Sequence, residues 1–250
     1  MEVHSHSHTA RKKWTHYFWE FLMLFLAVFC GFLAENQREH MIEHQREKQY
    51  IGSFYEDLTA DENDLQRIIN NLDRQVQIAD SLTFLLNKIR TDQPANAIYL
   101  YIRGITRSGS VRLNVNDRTI IQLRNAGGMR LIRNGDVSDS IVAYYKEVDN
   151  LQFLFDESLI IKRSLRENFQ PLLNAGDFAK VIDDNNNIVN PPDILHLQMA
   201  DQGTINICLL DINNIRGLSI GTEKRIQALK ARATSLKNFI YEEYKLKKRN

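Results

Sequence analysis

Three rhythms of apolar residues follow one another along the chain. From Trp14 to Ala34 the sequence WTHYFWEFLMLFLAVFCGFLA is almost continuously apolar, and its last 14 residues carry no charge. As a helix this stretch is roughly 31 Å long, about one bilayer hydrocarbon core. It predicts a transmembrane anchor over 14–34. From Ile51 a seven-residue interval takes over, through Ile51, Leu58, Leu65, Leu72, Ala79 and Leu86. Phe54, Ile68, Leu82 and Ile89 accompany it, with Tyr55, Ile69 and Val76 one place later. Glu62, Gln75 and Thr83 interrupt the companion positions, and no proline or glycine falls between Ser53 and Gln93. A narrow apolar stripe on a polar rod predicts a long membrane-exit helix over 35–93. The interruptions favour a bundle of unequal helices over a regular coiled coil.

Beyond Pro94 the rhythm shortens. Ile98, Leu100, Tyr101, Ile102 and Ile105 predict a short helix before a Ser108-Gly109-Ser110 loop. Asn116-Asp117 is placed to cap a helix holding Ile120, Ile121 and Leu123, which Gly127-Gly128 ends. After a turn at Asn134-Gly135-Asp136, helical spacing returns from Val137 to Asn168 through Ile141, Tyr144, Tyr145, Val148, Leu151, Leu154, Phe155, Leu159 and Ile160. The stretch 178–189 predicts a small β-hairpin turning on Asn/Asp and closed by Pro191-Pro192. Two helices, 204–216 and 220–247, complete the chain. The expected fold is all-α: an N-terminal transmembrane helix, then a long-helix, coiled-coil-like periplasmic bundle with one small hairpin. The expected segments are a cytoplasmic tail (1–13), the anchor (14–34), the exit helix (35–93) and a helical bundle packed on it (94–250).

Composition agrees with this outline. Only four prolines and 11 glycines occur in 250 residues, which favours long helices. The 32 Lys and Arg balance 31 Asp and Glu, so no nucleic-acid partner is expected. Charge placement matters more than charge total. Arg11, Lys12 and Lys13 precede the anchor, whereas Arg38, Arg46 and Lys48 follow at a distance, interleaved with Glu. The positive-inside rule then puts the N-terminus in the cytoplasm. In a bacterium this means an inner-membrane protein with its main domain in the periplasm. Trp14, Tyr17, Phe18 and Trp19 suit the headgroup layer. Cleavage after Ala34 is a poor fit, because Phe32 would occupy position −3. A lipoprotein reading of Cys30 meets Phe29 where a small residue is wanted. Cys30 in the bilayer and Cys208 outside it cannot pair. Glu20, one helical turn from His16, can snorkel or pair locally. Ala27 and Gly31, four apart, offer a small-residue face for helix association.

One resemblance covers most of the layout. The anchor, the Glu/Arg-rich exit helix, the motif DRTIIQLRNAGGMRLIRNGDVSDSIVAYYKEVDNL (117–151) and a terminal helix resemble a family of single-pass membrane proteins of Gram-negative bacteria, a domain of unknown function. Leu123, Gly128, Leu131-Ile132, Ile141 and Tyr144-Tyr145 carry the likeness. It implies an architecture and no activity.

Candidate chemistry is sparse. His40 and His44 lie on one helical face with Glu43 and Glu47 nearby, a weak Zn²⁺ candidate. The HExxH order is absent, and a solvated face with Glu35–Arg38 and Glu43–Arg46 pairs is favoured. The alternating His4, His6 and His8 suit weak metal binding, but a cytoplasmic tail is the plainer reading. A calcium loop starting at Asp183 fails, because Ile188 and Ile194 stand where Gly and Glu are needed. The sharper feature is a run of seven arginines between Ala95 and Arg133 against one acid, Asp117. Arg103, Arg107, Arg124, Arg130 and Arg133 are candidate contacts for an anion or a partner. The internal alternative pairs these arginines with Glu56, Asp57, Asp61, Glu62 and Asp64. No nucleophile elbow, P-loop, paired CxxC or kinase signature is present, and no cofactor is expected. The chain is thus expected to be a non-enzymatic membrane protein contacting the bilayer, other proteins or itself. The second expectation is a periplasmic sensor binding a small anion.

Overall fold

The computed structural model of the chain describes residues 14–90, 92–107, 113–125, 127–199 and 201–246. The described residues are overwhelmingly helical, and none forms a strand. Two compact units divide the chain, Met1–Tyr50 and Ile51–Asn250. Helix α1 (Trp14–Leu86) contributes to both.

In the first unit the apolar side chains of α1 point outward. Trp14, Trp19, Phe21, Leu24 and Phe32 are all more than half exposed. Among the described residues α1 is the one helix long and apolar enough to cross a membrane, and none of its apolar window is buried within the protein. Beyond Ala34 the helix turns polar, and the Arg38 guanidinium meets Glu35 at 3.0 Å, as the i,i+3 spacing predicts.

In the second unit three long helices build the core: α1 from Ile51 onward, α4 (Gly135–Phe169) and α6 (Gln202–Tyr244). Polar flank contacts show that α6 runs antiparallel to α1. Lys237 and Thr234 meet Glu62, Lys230 meets Gln66 at 2.7 Å, and Arg216 meets Asp80 at 2.6 Å. α4 is also antiparallel to α6: Asn168, near the end of α4, meets Cys208 and Asp211, whereas Ser158, earlier on α4, lines one cavity with Ser219 and Thr222. All six members of the seven-residue series on α1 are buried. The same three-four spacing selects the buried residues of α4 from Ile141 to Phe169 and of α6 from Ile205 to Ile240. It places Ile160 outside the α4 stripe, 63% exposed.

The spacing also corrects which residues interrupt the α1 stripe. The companion positions run Phe54, Asp61, Ile68, Gln75 and Leu82, all buried. The polar interruptions are therefore Asp61 and Gln75. Glu62, one residue later, sits on the flank facing Lys237. Thr83 is half-buried and returns its hydroxyl to Ala79 O.

A cap of shorter elements closes one end. It comprises α2 (Asn96–Arg107), a 3-10 turn (Gln170–Leu172), α5 (Ala175–Lys180) and the segment 181–198. Tyr99 pins them together: its buried hydroxyl donates to His196 O at 3.0 Å and accepts from Asn174 N at 2.8 Å. Nearer the other end lies α3 (Arg118–Asn125), followed by a 3-10 turn (Gly128–Leu131). Gly127 has φ +60, and a Cβ on Gly128 would lie 2.8 Å from Leu123 Cδ2, so this glycine pair is demanded by backbone and packing alike. Asn134 caps α4 by accepting from Val137 N at 3.1 Å.

Two expectations change. The hairpin shrinks to one antiparallel bridge, Ile182 with Ile188, because α5 takes up the residues of its first arm. The two C-terminal helices are one helix, α6. Gly217 and Gly221 each cost about 1 kcal/mol in a helix. That penalty is small beside the burial of Ile212, Ile215, Ile226 and Leu229 on one continuous stripe. Nothing lies within 4 Å of a Cβ built at either glycine. Gly217→Ala and Gly221→Ala should therefore each raise stability by about 0.5–1 kcal/mol in denaturant melts.

Candidate functional site

The densest polar chemistry of the helical unit lies where α3 meets α1. Asp57 and Asp61, one turn apart on α1, are both buried. An isolated buried carboxylate is costly, so donors must surround it. Asp61 Oδ1 accepts from Asn116 N at 2.8 Å and from Asn116 Nδ2 at 3.0 Å. Its Oδ2 accepts from the Tyr144 hydroxyl at 2.9 Å. Asp57 takes the Thr119 hydroxyl on one oxygen and the Arg118 guanidinium, at 3.4 Å, near the other. Tyr145 closes the cluster by donating to Asn116 O at 2.7 Å. The rings of Tyr144 and Tyr145 meet edge-on, with centroids 5.2 Å apart. The two carboxylates thus hold the start of α3 through the side chains of Asn116, Arg118 and Thr119 and the backbone N–H of Asn116.

Burial dominates the electrostatics. It pushes the Asp61 carboxyl above its ordinary value, although Asn116 and Tyr144 pull the other way. Both tyrosines are pushed up, first by burial and then by the Asp61 charge. Such phenols stay protonated and act as donors. This arrangement orders the segment before α3 against α1 and α4.

Beside the cluster is an open depression of about 210 Å³, walled by Asn114, Asp117 and Arg124 on one side and Tyr145, Asp149 and Gln152 on the other. It carries two carboxylates to one guanidinium, a mixed wall and not an anion cradle.

The arginine run is divided. Arg103 is turned inward: its guanidinium donates to Phe178 O at 2.8 Å and stacks 3.7 Å over the Phe178 ring. Burial, with the Arg107 charge, lowers its pKa. Arg107 is half-buried on the same helix, while Arg124, Arg130 and Arg133 are exposed around α3 and the turn after it. α2 packs at the level of Ile78, which lies 3.2 Å from a Cβ built on Gly104. α3 packs at the level of Asp57 and Asp61. Seventeen residues of α1, from Asp61 to Ile78, separate the two levels by roughly 25 Å. The five candidates do not converge on one ligand. Within the acidic run Asp57 engages Arg118, Asp61 takes neutral donors, Glu62 takes Lys237 and Asp64 takes Arg67.

His40 lies 3.9 Å from Glu43 and His44 lies 3.2 Å from Glu47, so each imidazole faces a carboxylate three residues on. No group of three His, Cys, Asp or Glu suited to a metal occurs among the described residues. In the apolar stretch of α1 Glu20, Ala27 and Gly31 are exposed, with nothing within 4 Å of a Cβ at Gly31. Cys208 is buried, and burial pushes its thiol up to about 12. His4, His6, His8, Arg112 and the Ser108–Ser110 loop lie outside the described residues.

Comparison with protein-family models, curated proteins and solved structures finds no match to this chain. The motif that carries the family resemblance is a packing motif here. Leu123, Gly128, Ile132, Ile141, Tyr144 and Tyr145 are buried around the Asp61 cluster. The sequence reading missed that cluster, although the three-four register through Phe54, Asp61 and Ile68 points to it.

Asp61→Ala leaves two donors of Asn116 and the Tyr144 hydroxyl without an acceptor. It should cost about 3 kcal/mol in chemical unfolding. Asp61→Asn should cost about half as much, because its oxygen still accepts from Asn116 and its amide can donate to the Tyr144 oxygen.

Proposed function

We propose that this is a non-enzymatic, single-pass inner-membrane protein whose outer helical domain works by contacting other proteins or a second copy of itself. The exposed apolar stretch of α1 supports the anchor. The basic Arg11-Lys12-Lys13 cluster supports a cytoplasmic N-terminus and a periplasmic domain. The three-four spacing shared by α1, α4 and α6 supports coiled-coil-like packing within that domain.

The observation that carries the reading is the surface of the outer helices. On α4, Phe153 and Ile160, seven residues apart, are 57% and 63% exposed. On α6, Ile207 and Leu210 are about half exposed. Large apolar side chains repeated along outer helix faces suit protein contact. The sensor reading has less support, because the arginines are divided and the depression beside Arg124 holds two carboxylates.

The test is affinity purification of the full-length protein from its native membrane in mild detergent, with mass measurement of the complex. A stoichiometric partner or a homo-oligomer is expected, lost on Phe153→Ser with Ile160→Ser while the melting temperature stays within about 2 °C. A monomer without a stoichiometric partner contradicts the proposal.

A further inference from the structure

The depression between α3 and α4 gathers charged groups that the fold itself does not use. Along α1, Asp57, Glu62, Asp64 and Asp80 each meet a cation, and Asp61 takes Asn116 and Tyr144. The side chains of Asp117, Arg124, Asp149 and Gln152 make no hydrogen bond or ion pair with another described residue. All four line the same space of about 210 Å³.

The α3 side supplies charges of both signs. Asp117 immediately precedes α3 and Arg124 lies in its last turn, seven residues on. Two helical turns put them on one face, roughly 10 Å apart along the axis. Both act on the Tyr145 hydroxyl within the same wall, Asp117 raising its pKa and Arg124 lowering it. Across the depression α4 adds Asp149, one turn beyond Tyr145, and the Gln152 carboxamide. The Tyr145 hydroxyl is already spent on Asn116 O. Ile120 and Val148 form an apolar floor, and Ile121 stands 45% exposed at the rim.

This wall selects among ligand classes. Two carboxylates against one guanidinium leave a formal excess of one negative charge. A small anion meets repulsion from both acids. A bare metal ion meets the guanidinium. A neutral apolar molecule leaves three charges without a counter-charge and gains only the floor. A molecule with one carboxylate, two cationic groups and an aliphatic stem answers every group. Its carboxylate suits the planar fork of Arg124, its two cations suit Asp117 and Asp149, and its methylenes suit Ile120 and Val148. The volume admits one free amino acid and falls below the about 300–1,000 Å³ of sites for drug-sized ligands.

We propose that the depression formed by Asp117, Arg124, Asp149 and Gln152 is a binding site for a free dibasic amino acid of the lysine or arginine type. The site uses neither Phe153 nor Ile160, so it stands or fails separately from the contacts proposed above. A ligand that bridges α3 and α4 stabilises the folded unit by mass action.

The test is thermal unfolding of the full-length protein in detergent, with each ligand at about 10 mM and ionic strength held constant. L-lysine and L-arginine should each raise the melting temperature by about 3 °C, saturably. Norleucine, which lacks the side-chain cation, and cadaverine, which lacks the carboxylate, should each shift it by less than about 1 °C. Arg124→Gln and Asp149→Asn, both at exposed positions, should melt within about 2 °C of the wild type and lose the lysine response. No rise with lysine or arginine overturns the proposal. An equal rise with cadaverine, or an undiminished lysine response in Arg124→Gln, also overturns it, because the binding then ignores the carboxylate.

Discussion

The helical unit from Ile51 onward depends on one buried carboxylate. Asp61 stands at a core position of α1, where the stripe on either side is filled by Phe54, Leu58, Leu65 and Ile68. A charge there is tolerable only if donors are brought to it, and each donor comes from a different part of the chain. Asn116 supplies two from the segment before α3, and Tyr144 supplies one from α4. The placement of α3, the glycine pair that ends it and the depth of α4 against α1 all follow from satisfying that carboxylate. The apolar stripes alone do not impose this. A three-four pattern of Leu and Ile repeats every seven residues, so sliding one helix by a heptad would bury nearly the same area.

Polar layers remove that degeneracy. Asp61 and Gln75 are fourteen residues apart on α1. Tyr144 and the Ser158–Lys162 pair answer them on α4, and Ser219 with Thr222 answers Gln75 on α6. A heptad slip would set each polar group against Ile or Leu, leaving buried donors and acceptors unmatched at about 1–3 kcal/mol apiece. The bundle trades some apolar burial for a single alignment, the role best attested for buried polar residues in helical assemblies.

Much of this was legible in the sequence. The long apolar start of α1, the long helices and the stripe on α1 follow from periodicity, because burial on a helix leaves a repeat that needs no partner to be seen. The errors came where two periodic signals compete or where partners are distant. Acids crowd the stretch around Glu62, and the register shows that the residue interrupting the stripe is Asp61. Gly217 and Gly221 suggested a break in α6, but a local propensity near 1 kcal/mol yields to a stripe that continues through it. The Asp-Asn-rich turn at 183–187 suggested two strands, yet neither arm finds a sheet to join. The arginine run looked like one feature in sequence. In space α2 and α3 carry its parts to different levels of the bundle, something that no composition count reveals.

These alignments also bear on what the domain does. A register-locked bundle presents fixed faces, and Phe153 and Ile160 on α4 lie on such a face. The most direct test of the account is a double-mutant cycle between Asp61 and Tyr144, using Asp61→Ala, Tyr144→Phe and the double variant in chemical unfolding. The account predicts a coupling energy above about 1 kcal/mol between two residues 83 positions apart in sequence. Additive effects, within about 0.5 kcal/mol, would contradict the claim that this contact aligns the helices.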